Sequence, residues 1–201
     1  RIRVFFKSFG CSSNLADGEF MVGCLLKTGF EVVDRLEEAD VLVYNTCAVK
    51  TPTENRVIEI LKNASMSNKR LVVTGCLPLI NYERLKREVR FDAILGPSPG
   101  AKIVGATQKV MIGERVTWLH GHAETKPCLE LPRRAVNPVV SVVPVAYGCL
   151  GSCSYCCVAF ARGRLRSCRT GEVVKRIRQD LASGAREVWL TGQDMACYGR
   201  D

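Results

Sequence analysis

The sequence predicts an α/β protein whose first part is a flavodoxin-like, doubly wound parallel sheet. Short β-rich segments alternate with segments of helical apolar spacing through residues 1–112. Strands that alternate with helices imply crossover connections, which pair the strands in parallel and cover both faces of the sheet. The predicted strands are IRVFF (2–6), EVVD (31–34), VLVYN (41–45), LVVTG (71–75) and DAIL (92–95). The predicted helices are 15–28, 53–64, 79–89 and 98–110.

The character of the chain changes after residue 112. Residues 113–138 contain several glycines and prolines with little periodicity, which predicts an arm or linker and a domain boundary. A second βα pattern follows, and its segments are the strand 139–147, the cysteine-rich loop 148–169, the helix after Thr170 and the strand 186–192. One strand–helix–strand unit cannot bury both of its faces, so we expect 139–201 to be the truncated start of a larger second domain.

Composition limits the class of protein. Of the 201 residues, 47% are hydrophobic and 24% are charged, which is typical of a globular chain. No apolar run reaches the roughly 18 to 20 residues that span a bilayer, and the apolar start is too short for a signal peptide. We therefore expect a cytoplasmic protein. The net charge of +9 indicates either a polyanionic partner such as nucleic acid or simply a basic enzyme.

Cysteine is the most informative residue type. The chain has 11 cysteines but only two histidines, His120 and His122. An odd number of thiols in a long chain without a signal peptide favours metal binding over a disulfide framework. A ligand supply rich in thiolate and poor in imidazole suits iron–sulfur clusters or an all-cysteine zinc site.

The first candidate metal set is Cys149, Cys153 and Cys156, in the segment GCLGSCSYC directly after a predicted strand. Three closely spaced thiolates can hold three irons of a [4Fe–4S] cluster and leave the fourth iron for S-adenosylmethionine. The Cys-x3-Cys-x2-Cys spacing is the signature of the radical-SAM superfamily. Cys157 offers an alternative third ligand, but we favour Cys156 because it keeps that spacing. A zinc knuckle is the competing interpretation.

The second candidate set is Cys11, Cys47 and Cys76. Each of these cysteines lies just beyond the end of a predicted strand. The carboxyl ends of parallel strands open onto one edge of the sheet, so the three thiols should converge there. Taken singly, each would be read as a buried structural cysteine. Among the others, Cys24 is expected in the core, and Cys128, Cys168 and Cys197 receive no function.

With both sets in place, the chain resembles the methylthiotransferase family of radical-SAM enzymes. Within that family it is most similar to the archaeal and eukaryotic branch that modifies threonylcarbamoyladenosine in tRNA. The resemblance covers essentially the whole chain. The segments that carry it are FGCSSNLADGEFMVGCL, YNTCAVKTPTENR, VTGCLP, LPRRAVNPVV, YGCLGSCSYC, ARGRLRS and VWLTGQDMACYGRD.

The resemblance implies two [4Fe–4S] clusters and S-adenosylmethionine. The radical-generating cluster would be held by Cys149, Cys153 and Cys156, and the auxiliary cluster by Cys11, Cys47 and Cys76. Tyr155, Gln193 and Asp194 would contact S-adenosylmethionine. The reaction implied is 2-methylthiolation of the hypermodified adenosine at tRNA position 37, and no catalytic residue is assigned. One departure is Cys168, where many relatives have arginine.

Two alternatives to tRNA threonylcarbamoyladenosine methylthiolation remain open at this point, so there are three possibilities in all. The same chemistry could act on another tRNA adenosine or on a ribosomal-protein side chain, and a non-enzymatic zinc or redox module is a third possibility. The loop arginines (Arg162, Arg164, Arg166 and Arg169) are expected to contact RNA or the S-adenosylmethionine carboxylate. The basic side chains of the following helix are expected on a solvated face. Asn14 and Asn45 are expected to make local turn hydrogen bonds.

Overall fold

A parallel sheet forms the first part of the molecule. The structure, a computed structural model, describes residues 1–119 and 129–201, so His120, His122 and Cys128 lie outside the described residues. Within the described part, six strands pair in parallel in the order β2-β1-β3-β4-β5-β6. The strands are β1 (Arg3–Ser8), β2 (Glu31–Val33), β3 (Val41–Thr46), β4 (Arg70–Gly75), β5 (Ala93–Leu95) and β6 (Val116–Trp118). This arrangement is consistent with the predicted flavodoxin-like fold.

Helices connect these strands and cover the sheet. They are α1 (Ser12–Lys27), α2 (Thr51–Ser65), α3 (Leu77–Ile80), α4 (Tyr82–Glu88) and α5 (Lys102–Met111). Where the sequence predicts one helix over 79–89, the structure has two, because Asn81 adopts φ −143° and ψ 59° between α3 and α4. The Asn81 amide donates to Glu54 on α2 at 2.9 Å, which holds the chain at this break.

Strand β6 lies inside the stretch that the sequence assigns to an arm or linker. It pairs in parallel with β5, with Ala93 opposite Val116 and Leu95 opposite Trp118. Only Val116 of its three residues is buried, so its apolar signal is too short to stand out from the surrounding loop. The sheet therefore extends past residue 112, while the division into two domains stays a prediction.

The core is divided between the two faces of the sheet. Every residue of β3 is buried, and its side chains alternate between the faces. Val41 and Val43 pack with Met21 and Leu25 of α1 on one face. On the other face, residues of the same strand pack with α2, α3 and α4. Burial on both faces is the arrangement expected of a doubly wound sheet.

The second part of the chain contains one βαβ unit. Strands β7 (Val140–Pro144) and β10 (Glu187–Thr191) pair in parallel, and α7 (Thr170–Ala182) lies in the connection between them. The predicted strand 139–147 is interrupted at Val145, because β8 (Ala146–Tyr147) turns away to pair antiparallel with β9 (Arg166–Ser167). The short helix α6 (Val158–Arg162) lies in the loop between β8 and β9. A radical-SAM barrel stays a prediction.

Helix α1 joins the two parts. Phe20, on the side of α1 away from β3, packs with Leu129, Val143 and Val145 in a separate apolar cluster. Next to it, the Arg133 side chain is 3% exposed and pairs with Glu19 of α1 and with Asp180 of α7. Apolar packing and buried ion pairs therefore fix α1 against β7 and α7. Across the described ranges, no helix has the length and apolar character needed to cross a bilayer.

Candidate metal centre

One cavity of about 570 Å³ lies where the two parts of the chain meet. Six cysteines border it, and they are the two predicted sets: Cys11, Cys47, Cys76, Cys149, Cys153 and Cys156. None of the ten described cysteines is in a disulfide, so all six thiols are available as ligands. The structure brings both sets to one space, while their role as iron ligands stays a prediction.

The first set reaches the cavity through the topology of the sheet. Strands β1, β3 and β4 are neighbours and run in parallel, so their carboxyl ends lie at one edge. Cys11 follows β1 at the start of α1, Cys47 directly follows β3, and Cys76 directly follows β4. Cys47 and Cys76 are buried, whereas Cys11 is exposed. One cysteine per strand end is enough to assemble three thiols.

Gly10 allows the Cys11 loop to approach Cys47. Its φ of +104° lies in the region that favours glycine, and a Cβ at this position would be 2.5 Å from Cys47 Cβ and 2.8 Å from its Sγ. A side chain at residue 10 would therefore occupy the space of the Cys47 thiol. The glycine is required for both the backbone conformation and the close approach.

The two asparagines beside this set bridge its loops. The buried Asn14 amide donates to the carbonyl oxygens of Phe9 and Thr46, at 2.5 Å and 3.3 Å. The Asn45 amide donates to Asn14 O at 2.7 Å. These bonds connect the β1 and β3 loops, so they are not only the local turn bonds that the sequence predicts.

The second set lies on the loop that follows β8. Cys149 N donates to Gly163 O at 3.1 Å, and Cys156 N donates to Cys153 O at 3.1 Å, which folds the loop back on itself. A Cβ on Gly151 would lie 3.3 Å from Cys149 Sγ and 3.8 Å from Cys153 Sγ, so both thiols lie close to this residue. Among the described residues, Cys156 borders the cavity and Cys157 does not.

The three predicted S-adenosylmethionine contacts differ in position. Gln193 borders the cavity, and its amide accepts from Gly148 N at 2.7 Å and reaches Ser13 Oγ at 3.4 Å. Tyr155 is 89% exposed, and a hydrogen bond with Cys153 raises its pKa. The Asp194 carboxylate accepts from Ala196 N at 3.0 Å, which caps the short 3-10 turn at 195–197. All three roles stay predictions.

Cys197 has partners that sequence spacing does not reveal. Its Sγ, that of Cys149 and a carboxylate oxygen of Asp194 all lie within 4.8 Å of one another. Cys197 is buried and its thiol donates to Asp194 O at 2.9 Å. The sequence could have indicated this contact through the positions of the two cysteines. Cys197 follows β10 and Cys149 follows β7 and β8, and the parallel pairing of β7 with β10 brings both loops to one edge.

Arg162 is buried, so the predicted contact with RNA is wrong, while the predicted contact with the S-adenosylmethionine carboxylate stays a prediction. The Arg162 side chain is 2% exposed and pairs with Asp17 of α1 at 2.8 Å, so it is not a surface contact for RNA phosphate. Burial opposes its charge, but the neighbouring Asp17 carboxylate outweighs that effect and raises the pKa of Arg162. The sequence places Arg162 among surface arginines because its partner lies on a distant helix.

Burial also affects the protonation of the Cys76 thiol. It raises the pKa of the Cys76 thiol to about 11, although the Arg162 guanidinium lowers that pKa in part. Without metal, Cys76 is therefore a neutral thiol at physiological pH. A metal ion that binds here displaces the proton, because the thiolate is the ligand form.

The donors around the cavity fit iron–sulfur chemistry. Iron–sulfur clusters are held by cysteine thiolates, and the cavity offers two sets of three. The residues that the structure describes include no histidine that could complete a mixed site. The site and fold together define an α/β protein whose strand ends and following loop bring six thiols to one cavity.

Comparison with known proteins finds a matching family model and similar chains. Residues 3–96 match the family described as "Uncharacterized protein family UPF0004". The whole chain is 39% identical to the "Probable threonylcarbamoyladenosine tRNA methylthiotransferase" of Methanothermobacter thermautotrophicus, of which it covers 47%. It is 34% identical to the protein of that name from Pyrococcus horikoshii, again over 47% of the relative. In Homo sapiens, "Threonylcarbamoyladenosine tRNA methylthiotransferase" is 31% identical over 99% of the chain and 35% of the relative.

The chain is therefore similar along essentially its whole length to proteins named as methylthiotransferases, as the resemblance predicts. It spans about half the length of these archaeal relatives and about a third of the human one.

Proposed function

We propose that this chain is part of a cytoplasmic radical-SAM tRNA methylthiotransferase. The proposed reaction adds a methylthio group to C2 of N6-threonylcarbamoyladenosine at tRNA position 37. The relatives named for this modification align with the chain over 99% or more of its length, which supports the choice of substrate. The net charge of +9 favours a polyanionic substrate.

The observation that carries the proposal is the single cavity bordered by both cysteine sets. A reaction that moves sulfur onto a carbon requires the sulfur source and the radical source to act on the same substrate atom. Two sites that border one cavity of about 570 Å³ meet that requirement. When bound, the two [4Fe–4S] clusters and S-adenosylmethionine supply the electron, the radical and the methylthio group.

The residues of the chain have distinct proposed roles. Cys149, Cys153 and Cys156 hold the radical-generating cluster and leave one iron open for S-adenosylmethionine. Cys11, Cys47 and Cys76 hold the auxiliary cluster. Gln193 orients the second loop, because its amide bonds both to Gly148 of that loop and to Ser13 of α1. Tyr155 lies on the loop of the second set, and an Asp194 carboxylate oxygen lies within 4.8 Å of Cys149 Sγ. Both are proposed to contact S-adenosylmethionine.

The metal content of two triple variants tests the cluster assignment. We expect the reconstituted protein to bind iron and sulfide in equal amounts, and each triple Cys→Ala variant to lose half of both. The matched control is Cys24→Ala, because Cys24 is a buried thiol in the core of the sheet away from the cavity. Loss of all iron in either triple variant would contradict two independent sites.

The substrate is tested separately from the metals. We expect tRNA from a strain that lacks the protein to lose 2-methylthio-N6-threonylcarbamoyladenosine and to regain it when the parental protein is restored. Mass spectrometry of tRNA nucleosides measures this. Retention of the nucleoside in the deletion strain would remove the proposed substrate, and a change in a different tRNA adenosine or a ribosomal protein would identify the alternative one.

A zinc site is the second candidate. Cys149, Asp194 and Cys197 offer two sulfurs and one oxygen within 4.8 Å of one another, a donor set that suits Zn²⁺. The metal analysis decides between the two functions, because zinc without sulfide would support a zinc module. In that case Cys197→Ser should lose the metal, whereas the cluster proposal expects that variant to keep its iron.

A further inference from the structure

We propose that Arg162 is a positioning residue that couples the two cysteine sets, because the loop of the second set carries it to the Cys76 thiolate of the first. This inference rests on the proposed cluster assignment. It assigns to Arg162 a hydrogen bond to the auxiliary site that sets the reduction potential of the auxiliary cluster.

Arg162 is fixed to the second cysteine loop. It is the last residue of α6, which begins directly after Cys157. The Arg162 carbonyl accepts from Arg166 Nη2 at 3.0 Å, and Gly163 N donates to Ala159 O at 2.9 Å, which closes the end of this helix. A displacement of the loop that carries Cys149, Cys153 and Cys156 therefore displaces the guanidinium as well.

The partners of the guanidinium belong to the first part of the chain. Nη1 lies 2.8 Å from Asp17 Oδ2 and 3.3 Å from Ser98 Oγ, and Nη2 donates to Asn14 Oδ1 at 3.3 Å. The guanidinium also lies 6.0 Å from the centre of the Tyr147 ring, and Tyr147 OH bonds Asp17 Oδ1 at 3.1 Å. These contacts hold the side chain in one orientation inside the protein.

That orientation places the guanidinium at the cavity that Cys76 also borders. Helix α6, which carries Arg162, packs against α3, and α3 begins directly after Cys76. Arginine has five N–H donors in a rigid fork, so it can bond Asp17 and Asn14 and still donate to a sulfur. Among the described residues that border the cavity, Arg162 is the buried cation, since Lys50 is exposed.

The expected consequence is electrochemical. Hydrogen bonds to ligand sulfurs and the net charge around a cluster control its reduction potential. A donor to the Cys76 thiolate stabilises the more negative, reduced cluster, so its removal should make reduction harder. If the Arg162–Asp17 ion pair served only to join the two parts of the chain, its removal would change the stability of the protein but not the reduction potential of the cluster.

The test compares Arg162→Gln with the parental protein in the background of the Cys149, Cys153 and Cys156 triple alanine variant. That background leaves only the auxiliary cluster, so its EPR-monitored redox titration is free of overlap. We expect Arg162→Gln to disfavour reduction about tenfold, a shift of about 59 mV for a one-electron couple. Arg164→Gln is the matched control, because it removes the same charge from an exposed position in the same loop.

A double variant separates the effect of losing the Arg162 donor from the effect of leaving the Asp17 carboxylate unpaired. Arg162→Gln with Asp17→Asn removes both charges, so it also avoids a buried carboxylate that has lost its partner. We expect the potential to stay lowered in the double variant, because the donor to sulfur is still missing. A return to the parental potential would assign the effect to the net charge around the cluster and overturn the role of Arg162 as a donor to sulfur.

The inference and the proposed function fail in different ways. If the parental protein assembles no iron–sulfur cluster, the proposed function is wrong. If it holds the auxiliary cluster and a folded Arg162 variant titrates at the parental potential, only the coupling role is wrong. If Arg162→Gln does not fold, the double variant gives the same measurement. If neither neutral variant folds, Arg162→Lys keeps the charge and tests the fork. Because one ammonium cannot bond Asp17, Asn14 and the sulfur at once, we expect a lowered potential, and the parental potential would overturn the inference.

Discussion

Arg133→Ala is expected to lower the free energy of unfolding by about 3–5 kcal/mol. Arg133 donates from Nη1 to Asp180 Oδ2 at 2.7 Å and to Ser141 Oγ at 2.9 Å, and from Nε to Glu19 Oε2 at 2.8 Å. Its removal takes the cation away from the buried Glu19 carboxylate, whereas Asp180 keeps its ion pair with Arg176 at 2.5 Å. Loss of one partner of a buried ionic network costs more than the network contributes, because the remaining charges stay desolvated. Urea denaturation followed by tryptophan fluorescence measures the change.

The control for this variant is the next residue. Arg134→Ala removes the same charge from an exposed position in the same segment, and we expect a change within about 0.5 kcal/mol. Equal effects of the two variants would show that the buried network does not stabilise the fold. Because Glu19 lies on α1 and Asp180 on α7, we also expect Arg133→Ala to weaken the contact between the two parts that border the cavity.

Gly10→Ala is expected to abolish binding of the auxiliary cluster while the second set keeps its iron. The added Cβ would lie 2.5 Å from Cys47 Cβ, closer than non-bonded carbon atoms approach, and φ of +104° adds backbone strain of about 1–2 kcal/mol. Cys47 is buried and follows β3 directly, so it cannot move away freely. Iron and sulfide analysis after anaerobic reconstitution should give half of the parental content.

Gly29→Ala is the matched control for this experiment. Gly29 has a similar φ of +90°, but nothing lies within 4 Å of a Cβ at that position. It therefore has the same type of backbone strain without the overlap, and it should keep the full iron content. If Gly29→Ala and Gly10→Ala lost iron equally, general destabilisation would explain the result and the close approach to Cys47 would not.

Periodicity was sufficient to predict the strands of the first part. β1 to β5 are short β-rich segments between helices, and each lies within two residues of its predicted range. The same pattern predicted that Cys11, Cys47 and Cys76 converge, because the carboxyl ends of parallel strands all lie at one edge of the sheet. β6 escaped prediction because it has three residues and only one buried side chain. The helix break at Asn81 depends on a hydrogen bond to Glu54 of another helix, which no local pattern contains.

The side-chain pairs of the site could not be predicted from the sequence. Arg162 and Asp17 come from different parts of the chain, and a run of arginines gives no indication of which one is buried. Cys197 was set aside because it has no neighbour at ligand spacing, although the β7–β10 pairing brings it near Cys149. In both cases the contact is made by tertiary packing between elements whose own sequences predict only their secondary structure.

The central claim is that two iron–sulfur clusters share one cavity, and their magnetic interaction tests it most directly. In the reconstituted and fully reduced protein, the two clusters should couple, so the EPR spectrum should be broadened or split. Each triple cysteine variant should give the simple spectrum of one isolated cluster. If the spectrum of the parental protein were the plain sum of the two variant spectra, the clusters would be too far apart to act on one substrate.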